Sequence, residues 1–159
     1  MIKHKEFYTS YPLHRQVRFT LVNVFHESVS FTRTYTLPFN MLSVCIRSED
    51  EDASVARNLK TGEVYRNREN DIAMIPFNLS QEYRHTLRNE RYGIHFKLEL
   101  YPGIDVFNGL DHRIVENSPE LRREADRIFQ IKDPFLMLSR CTEFALEFSH
   151  RHWPEHYHL

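Results

Sequence analysis

Asn70-Asp71-Ile72-Ala73-Met74-Ile75-Pro76-Phe77-Asn78-Leu79-Ser80-Gln81 is the segment on which the reading of this chain turns. Four apolar residues, Ile72 to Ile75, stand between a turn pair and a proline. A run that short, bounded by turn residues, reads as a buried strand. Pro76 has no N–H to give to a ladder and ends the pairing. Asn70 and Asn78 can take the left-handed backbone conformation that a tight turn needs. The segment is far too short to cross a bilayer.

The same punctuation continues on both sides. Upstream, Val17, Phe19, Leu21, Val24 and Phe25 alternate or cluster as a half-buried strand does. Met41 to Ile46 is a short apolar strand that stops at the acids Glu49-Asp50-Glu51-Asp52, read as a solvated hairpin loop rather than a cation site. Ser54 to Leu59 is the next strand, and Lys60-Thr61-Gly62 turns it toward Glu63-Val64-Tyr65. Tyr83 to Leu87 and Tyr92 to Leu100 are two more, joined around Arg88-Asn89-Glu90. The chain has only four glycines, so Asn and Asp serve the turns at Asn70-Asp71, Asn78 and Asn89. Many short strands before any long helix predict a mainly β sandwich or small barrel over residues 1 to about 115.

Beyond that point the period changes. Ser118-Pro119-Glu120 and Asp133-Pro134 are helix starts, a capping side chain followed by proline. The first helix is expected to run to about Ile131, and Pro154 to end the second. On the second helix Phe135, Leu138, Cys141, Ala145 and Phe148 form one predicted stripe, with Met137 and Phe144 off it. An apolar surface wider than one stripe implies two neighbours: Met137 and Phe144 are the expected contacts of a homodimer formed through these helices, the alternative being that the first helix, Leu121 to Ile131, covers them within one chain.

Composition narrows the function classes. The chain has 159 residues, enough for one core. Its 21 Lys plus Arg balance 22 Asp plus Glu, which does not suit a basic nucleic-acid binder. Cys45 and Cys141 lie in apolar runs and read as buried thiols in a reducing, cytoplasmic compartment. The first 16 residues have no apolar signal region, and no membrane partner is expected. Gly62, Gly93, Gly103 and Gly109 are nowhere clustered, so no phosphate-cradling loop is present. Ten histidines make metal the serious candidate, but none lies between His26 and His85. His150, His152, His156 and His158 crowd the end, where Pro154 breaks the helical spacing of His152 and His156. Arg33, Arg47, Arg57, Arg84 and Arg91 fall in or beside predicted strands. With Tyr and His they could line a barrel that holds a polar ligand, or alternate outward into solvent. His95 sits between Ile94 and Phe96 on such a strand.

The Asn70–Gln81 run resembles a cupin strand-turn-strand element, Gly-Asp, aliphatics and Ile-Pro-Pro-Gly followed by His. It is similar in particular to the N-terminal sensor domain of AraC/XylS-type bacterial transcription regulators. There a Trp-Ile-His-Phe-like strand follows, matched here by Tyr92-Gly93-Ile94-His95-Phe96, and an Arg precedes a Leu-Pro pair, matched by Arg33 before Leu37-Pro38. Asn70 replaces the usual Gly, and Gln81 stands where a metal-binding cupin has His. The first cupin motif, expected near residues 45 to 60, has no His.

The resemblance implies a cupin-like double-stranded β-helix, or jelly-roll barrel, over residues 1–115 with an N-terminal arm over residues 1 to about 15. A two-helix dimerisation segment over 116–153 and a tail at 154–159 toward a DNA-binding half outside this chain complete it. It implies an effector sensor without catalysis, metal or cofactor. Arg33 and Tyr83 match residues that hold the sugar in the arabinose-responsive member, while Arg91 and Gly93 fall where a His and a Trp would be. The expected site is thus Arg33, Tyr83, Arg91 and His95, with a sugar or sugar acid as effector. Alternatives are a small stand-alone cupin enzyme, such as a sugar isomerase or lyase, and a carbohydrate-binding module.

Overall fold

A computed structural model describes residues 17–153. The N-terminal arm, the tail at 154–159 and with it Pro154, His156 and His158 lie outside the described residues. Among the described residues ten strands precede two helices: β1 Arg18–Glu27, β2 Phe31–Thr36, β3 Asn40–Ser48, β4 Ser54–Asn58, β5 Val64–Arg66, β6 Asp71–Ile75, β7 Ser80–His85, β8 Asn89–Tyr101, β9 Ile104–Asp105, β10 Ile114–Asn117, α1 Pro119–Phe129 and α2 Pro134–Arg151. One antiparallel sheet has the order β1-β8-β3-β6-β10, with β9 added to β8, and the other has the order β2-β7-β4-β5. The chain therefore crosses between sheets as it winds around the β4–β5 hairpin. That is the jelly-roll, double-stranded β-helix arrangement, followed by two helices.

The six-stranded sheet is covered on both faces. Leu42, Val44, Ile72, Met74, Ile94, Phe96 and Leu98 join the helices in the larger core. Met41, Ala73 and Ile75 point the other way, into the barrel, with Leu79. Burial on both faces is why Ile72 to Ile75 is an unbroken apolar run rather than an alternation. Asn70 and Asn78 bracket this strand with φ of 71° and 66°, the left-handed conformation their side chains permit. The acid run is the β3–β4 loop, where Asp50 pairs with Arg88, Glu49 with Arg47 and Asp52 with Arg66.

Strand β1 contains a bulge at Val22. Val17, Phe19 and Leu21 pack toward the helices before it, and Val24 does so after it. The extra residue turns Phe25 into the barrel. There its ring lies against Gly93, and a Cβ on Gly93 would overlap the Phe25 ring. The position that resembles a family Trp is thus backbone covered by an aromatic ring from the next strand.

Ser118 caps α1 by accepting from the N–H of Leu121, and Asp133 caps α2 by accepting from those of Phe135 and Leu136. The inward face of α2 differs from the predicted stripe. Cys141, Phe144, Ala145 and Phe148 are buried and Met137 packs beside them, a stripe of i, i+4, i+7, i+11. The expected outward pair, Met137 and Phe144, is covered by the chain's own core, because α2 rests on α1, β1 and β8. The residues left outside are Phe135, Leu136 and Leu138, with 84%, 45% and 36% of their surfaces exposed.

Gly93→Ala is expected to cost about 1–3 kcal/mol in urea unfolding, the usual cost of overpacking. Combined with Phe25→Ala it should cost less than the sum of the two single changes, since the smaller side chain makes room.

Candidate functional site: the polar barrel interior

Alternation in register brings polar and aromatic side chains into the barrel from the four-stranded sheet. Arg33 stands opposite Tyr83 and Tyr83 opposite Ala56; Tyr35 stands opposite Gln81 and Gln81 opposite Asn58. Phe31 lies opposite His85 and stacks on it, with ring centroids 5.6 Å apart. The sheet is two-faced, which is why β7 reads Ser-Gln-Glu-Tyr-Arg-His: Gln81, Tyr83 and His85 are buried, and Glu82 and Arg84 are exposed.

Arg91 is the centre of this interior. It is 5% exposed and comes from β8, across the barrel from Tyr83. Its Nε donates to Glu27 Oε1 at 2.8 Å, and one terminal nitrogen donates to the Tyr83 hydroxyl at 3.0 Å. The guanidinium also lies 5.0 Å from the Tyr83 ring centre and 5.5 Å from that of Phe25. Burial works against the charge, but the Tyr83 oxygen and Glu27 outweigh it and hold the Arg91 pKa above its ordinary value. The Tyr83 oxygen accepts from Arg91 and from Asn67 Nδ2, so its own proton is free to go to Ser54 Oγ, 2.9 Å away.

A second guanidinium lies on the far side. Arg113, just before β10, donates to Gln81 Oε1 at 2.8 Å and to Asn67 Oδ1 at 3.4 Å, and stands 4.4 Å from the Tyr65 ring centre. Gln81 in turn donates to the Tyr35 hydroxyl. Gln81, at the position of a metal-binding cupin's His, is therefore a structural link between Arg113 and Tyr35. Burial lowers the Arg113 pKa and raises those of Tyr35 and Tyr65.

On the side of the edge strands β1 and β2, side chains of the inner face become partly exposed among the described residues. His95 is half-buried there, 5.0 Å from the Phe25 ring and 4.5 Å from the Phe39 ring. Burial, reinforced by the Arg91 charge, pushes the His95 pKa down to about 4. Arg33 is exposed and stacks over Phe31 at 5.5 Å. Of the expected site residues, Tyr83 and Arg91 thus touch, and both lie on the inner face with Arg33 and His95 at the rim. Arg47 and Arg57 do alternate outward, paired with Glu90 and Glu82, and Arg84 is exposed. Sequence reasoning missed Glu27, Asn67 and Arg113. The bulge hid Glu27, and Asn67 and Arg113 stand outside strand periods.

Among the described residues no three His, Cys, Asp or Glu converge where they could hold a metal, and no helix is long and apolar enough to cross a membrane. Cys45 and Cys141 are buried free thiols, each pushed up to about 11 by burial.

No protein-family model and no curated protein matches the sequence. Among solved structures, one of ToxT from Vibrio cholerae is similar at 8% identity and a TM-score of 0.49, over 86% of this chain and 55% of that one. Another, of ToxT from Vibrio cholerae O395, is similar at 9% identity and a TM-score of 0.46, over 91% and 58%. The chain thus spans little more than half the length of these two.

His95 gives the site a pH dependence. Its folded pKa lies near 4 and its unfolded value near 6.5, so between these limits the unfolded chain binds more protons. Stability is fully present above about pH 6.5 and declines as pH falls toward 4. His85, also lowered by burial, acts in the same direction. Urea midpoints are expected to fall over this range in the wild type and to fall less in His95→Gln.

Proposed function

We propose that this chain is the effector-sensing and dimerisation part of an AraC/XylS-type transcription regulator. In this reading a small polar molecule, a sugar or sugar acid, binds without reacting at the barrel opening between β1 and β2. The observation that carries it is the pairing of Arg91 and Tyr83 in a polar interior flanked by the rings of Phe25, Phe31 and Phe39. Directional donors flanked by aromatic faces are what a hydroxyl-rich ligand needs. Arg33, exposed at the rim, is free to order on such a ligand, and His95, neutral at pH 7, supplies one ring donor and one acceptor. The lack of His at position 81 and over residues 45 to 60 favours sensing over a metal-dependent isomerase or lyase. DNA contact belongs to a further part outside this chain, in keeping with a net charge of −1 here.

Dimerisation belongs to α2, through a face shifted from the one its sequence periodicity indicates. Phe135, Leu136 and Leu138 form an exposed apolar patch at its start, and burying Phe135, the most exposed of them, in a two-fold pair contributes about 1.5–3 kcal/mol, the two leucines less.

A thermal-shift screen of sugars and sugar acids tests the effector reading. A stabilising compound should bind at least tenfold more weakly to Arg33→Ala and to Tyr83→Phe. Unchanged affinity in both removes these residues from the site. Sedimentation equilibrium tests the pairing: the wild type is expected as a two-chain species and Phe135→Glu/Leu138→Glu as a single chain. A folded wild type that stays single at high micromolar concentration contradicts it.

A further inference from the structure

The barrel has a second opening, opposite the proposed effector site. β5 ends the four-stranded sheet and β10 ends the six-stranded one, so no ladder closes the gap between them. A cleft of about 360 Å³ lies there, bordered by Val64, Tyr65, Arg68, Asp71 and Val115. A separate cavity of about 20 Å³ shares Tyr65 with the cleft and is lined by Gln81 and Arg113. That is room for about one water or one ligand oxygen.

The two interior guanidiniums are compensated differently. Arg91 has the Glu27 carboxylate. Arg113 has only the amide oxygens of Gln81 and Asn67 and the face of Tyr65, and it forms no ion pair among the described residues. Neutral acceptors satisfy its hydrogen bonds but leave its charge unbalanced in a poorly solvated place. The nearby acids do not fill the role. Asp71 already accepts from the Tyr65 hydroxyl, the Arg68 N–H and Asn117 Nδ2. Glu63 borders the small cavity but is exposed, and it forms no ion pair with Arg113 among the described residues. The Arg68 side chain, on the cleft wall, forms no ion pair among the described residues.

We infer that the cleft between β5 and β10 is a second binding site, for a small organic carboxylate whose charged end lies against Arg113 with Arg68 at the entrance. The small cavity admits one carboxylate oxygen, whose charge would offset that of the guanidinium. A small cavity with room for one oxygen, with Asp71 and Glu63 close by, disfavours a multiply charged inorganic anion. Val64, half exposed, and Val115 offer an apolar wall to the body of an organic acid. This site does not depend on the effector reading, because it shares no residue with Arg33, Tyr83, Arg91 or His95.

The test follows arginine side-chain N–H signals of the full chain by NMR at pH 7. Sodium acetate is titrated at constant ionic strength against sodium fluoride. The Arg113 signal is expected to shift and saturate at millimolar acetate, and Arg113→Gln to weaken binding at least tenfold. If Arg113→Gln does not fold, Arg68→Gln, which removes a surface side chain, is expected to weaken it at least threefold. A shift that never saturates, or an affinity unchanged in Arg68→Gln, overturns the inference. Saturation by inorganic phosphate but not by acetate overturns the carboxylate assignment. Retention of these signals while no sugar or sugar acid binds would sink the effector reading alone.

Discussion

A guanidinium enclosed between two β-sheets is the constraint around which this molecule is arranged. Arg91 cannot leave water without a counter-charge and acceptors on its other nitrogens. Glu27, Tyr83 and, through the Tyr83 oxygen, Ser54 and Asn67 meet that demand. These residues come from β1, β4, β7 and the segment after β5, so a single charge ties both sheets together. The bulge at Val22 belongs to the same arrangement. With uninterrupted alternation from Leu21, residues 25 and 27 would face the helices. One extra residue reverses them, so that Glu27 reaches Arg91 and Phe25 covers Gly93.

The polar interior divides the barrel's labour. On one side of the six-stranded sheet, aliphatic and aromatic packing against α1 and α2 supplies the bulk of the burial. On the other, side chains are held by hydrogen bonds and stacking around two arginines, beside a smaller apolar cluster around Met41 and Ile75. A sheet anchored by its outer core can give its inner face to recognition. The two openings then differ chemically: rings and a neutral histidine at β1/β2, an uncompensated cation at β5/β10.

The sequence made the β framework legible because its turns are explicit. Asn70, Asn78 and the acid run mark strand ends with chemistry that allows few alternatives, and Ser118 and Asp133 mark helix starts in the same way. Tyr83 and Arg91 were singled out by family resemblance, whereas strand alternation alone left open whether the arginines face inward or into solvent. Three things were not legible. The face of α2 depends on what it packs against: two stripes of the same helix were comparably apolar, and α1 with the sheet selected the one through Met137 and Phe144. Glu27 lay behind a bulge that periodicity cannot detect. Arg113 sits at the foot of a short edge strand and reaches inward across a gap that exists only once both sheets are formed.

The most direct measurement is a double-mutant cycle on the pair that holds the interior together. Urea unfolding is compared for the wild type, Glu27→Gln, Arg91→Met and the combined variant. Removing Glu27 alone leaves a charge uncompensated, whereas removing both partners does not. The combined variant is therefore expected to lose at least about 1 kcal/mol less than the sum of the single losses. Additivity within about 0.5 kcal/mol would mean that Arg91 and Glu27 act independently, and would contradict an interior organised around this charge.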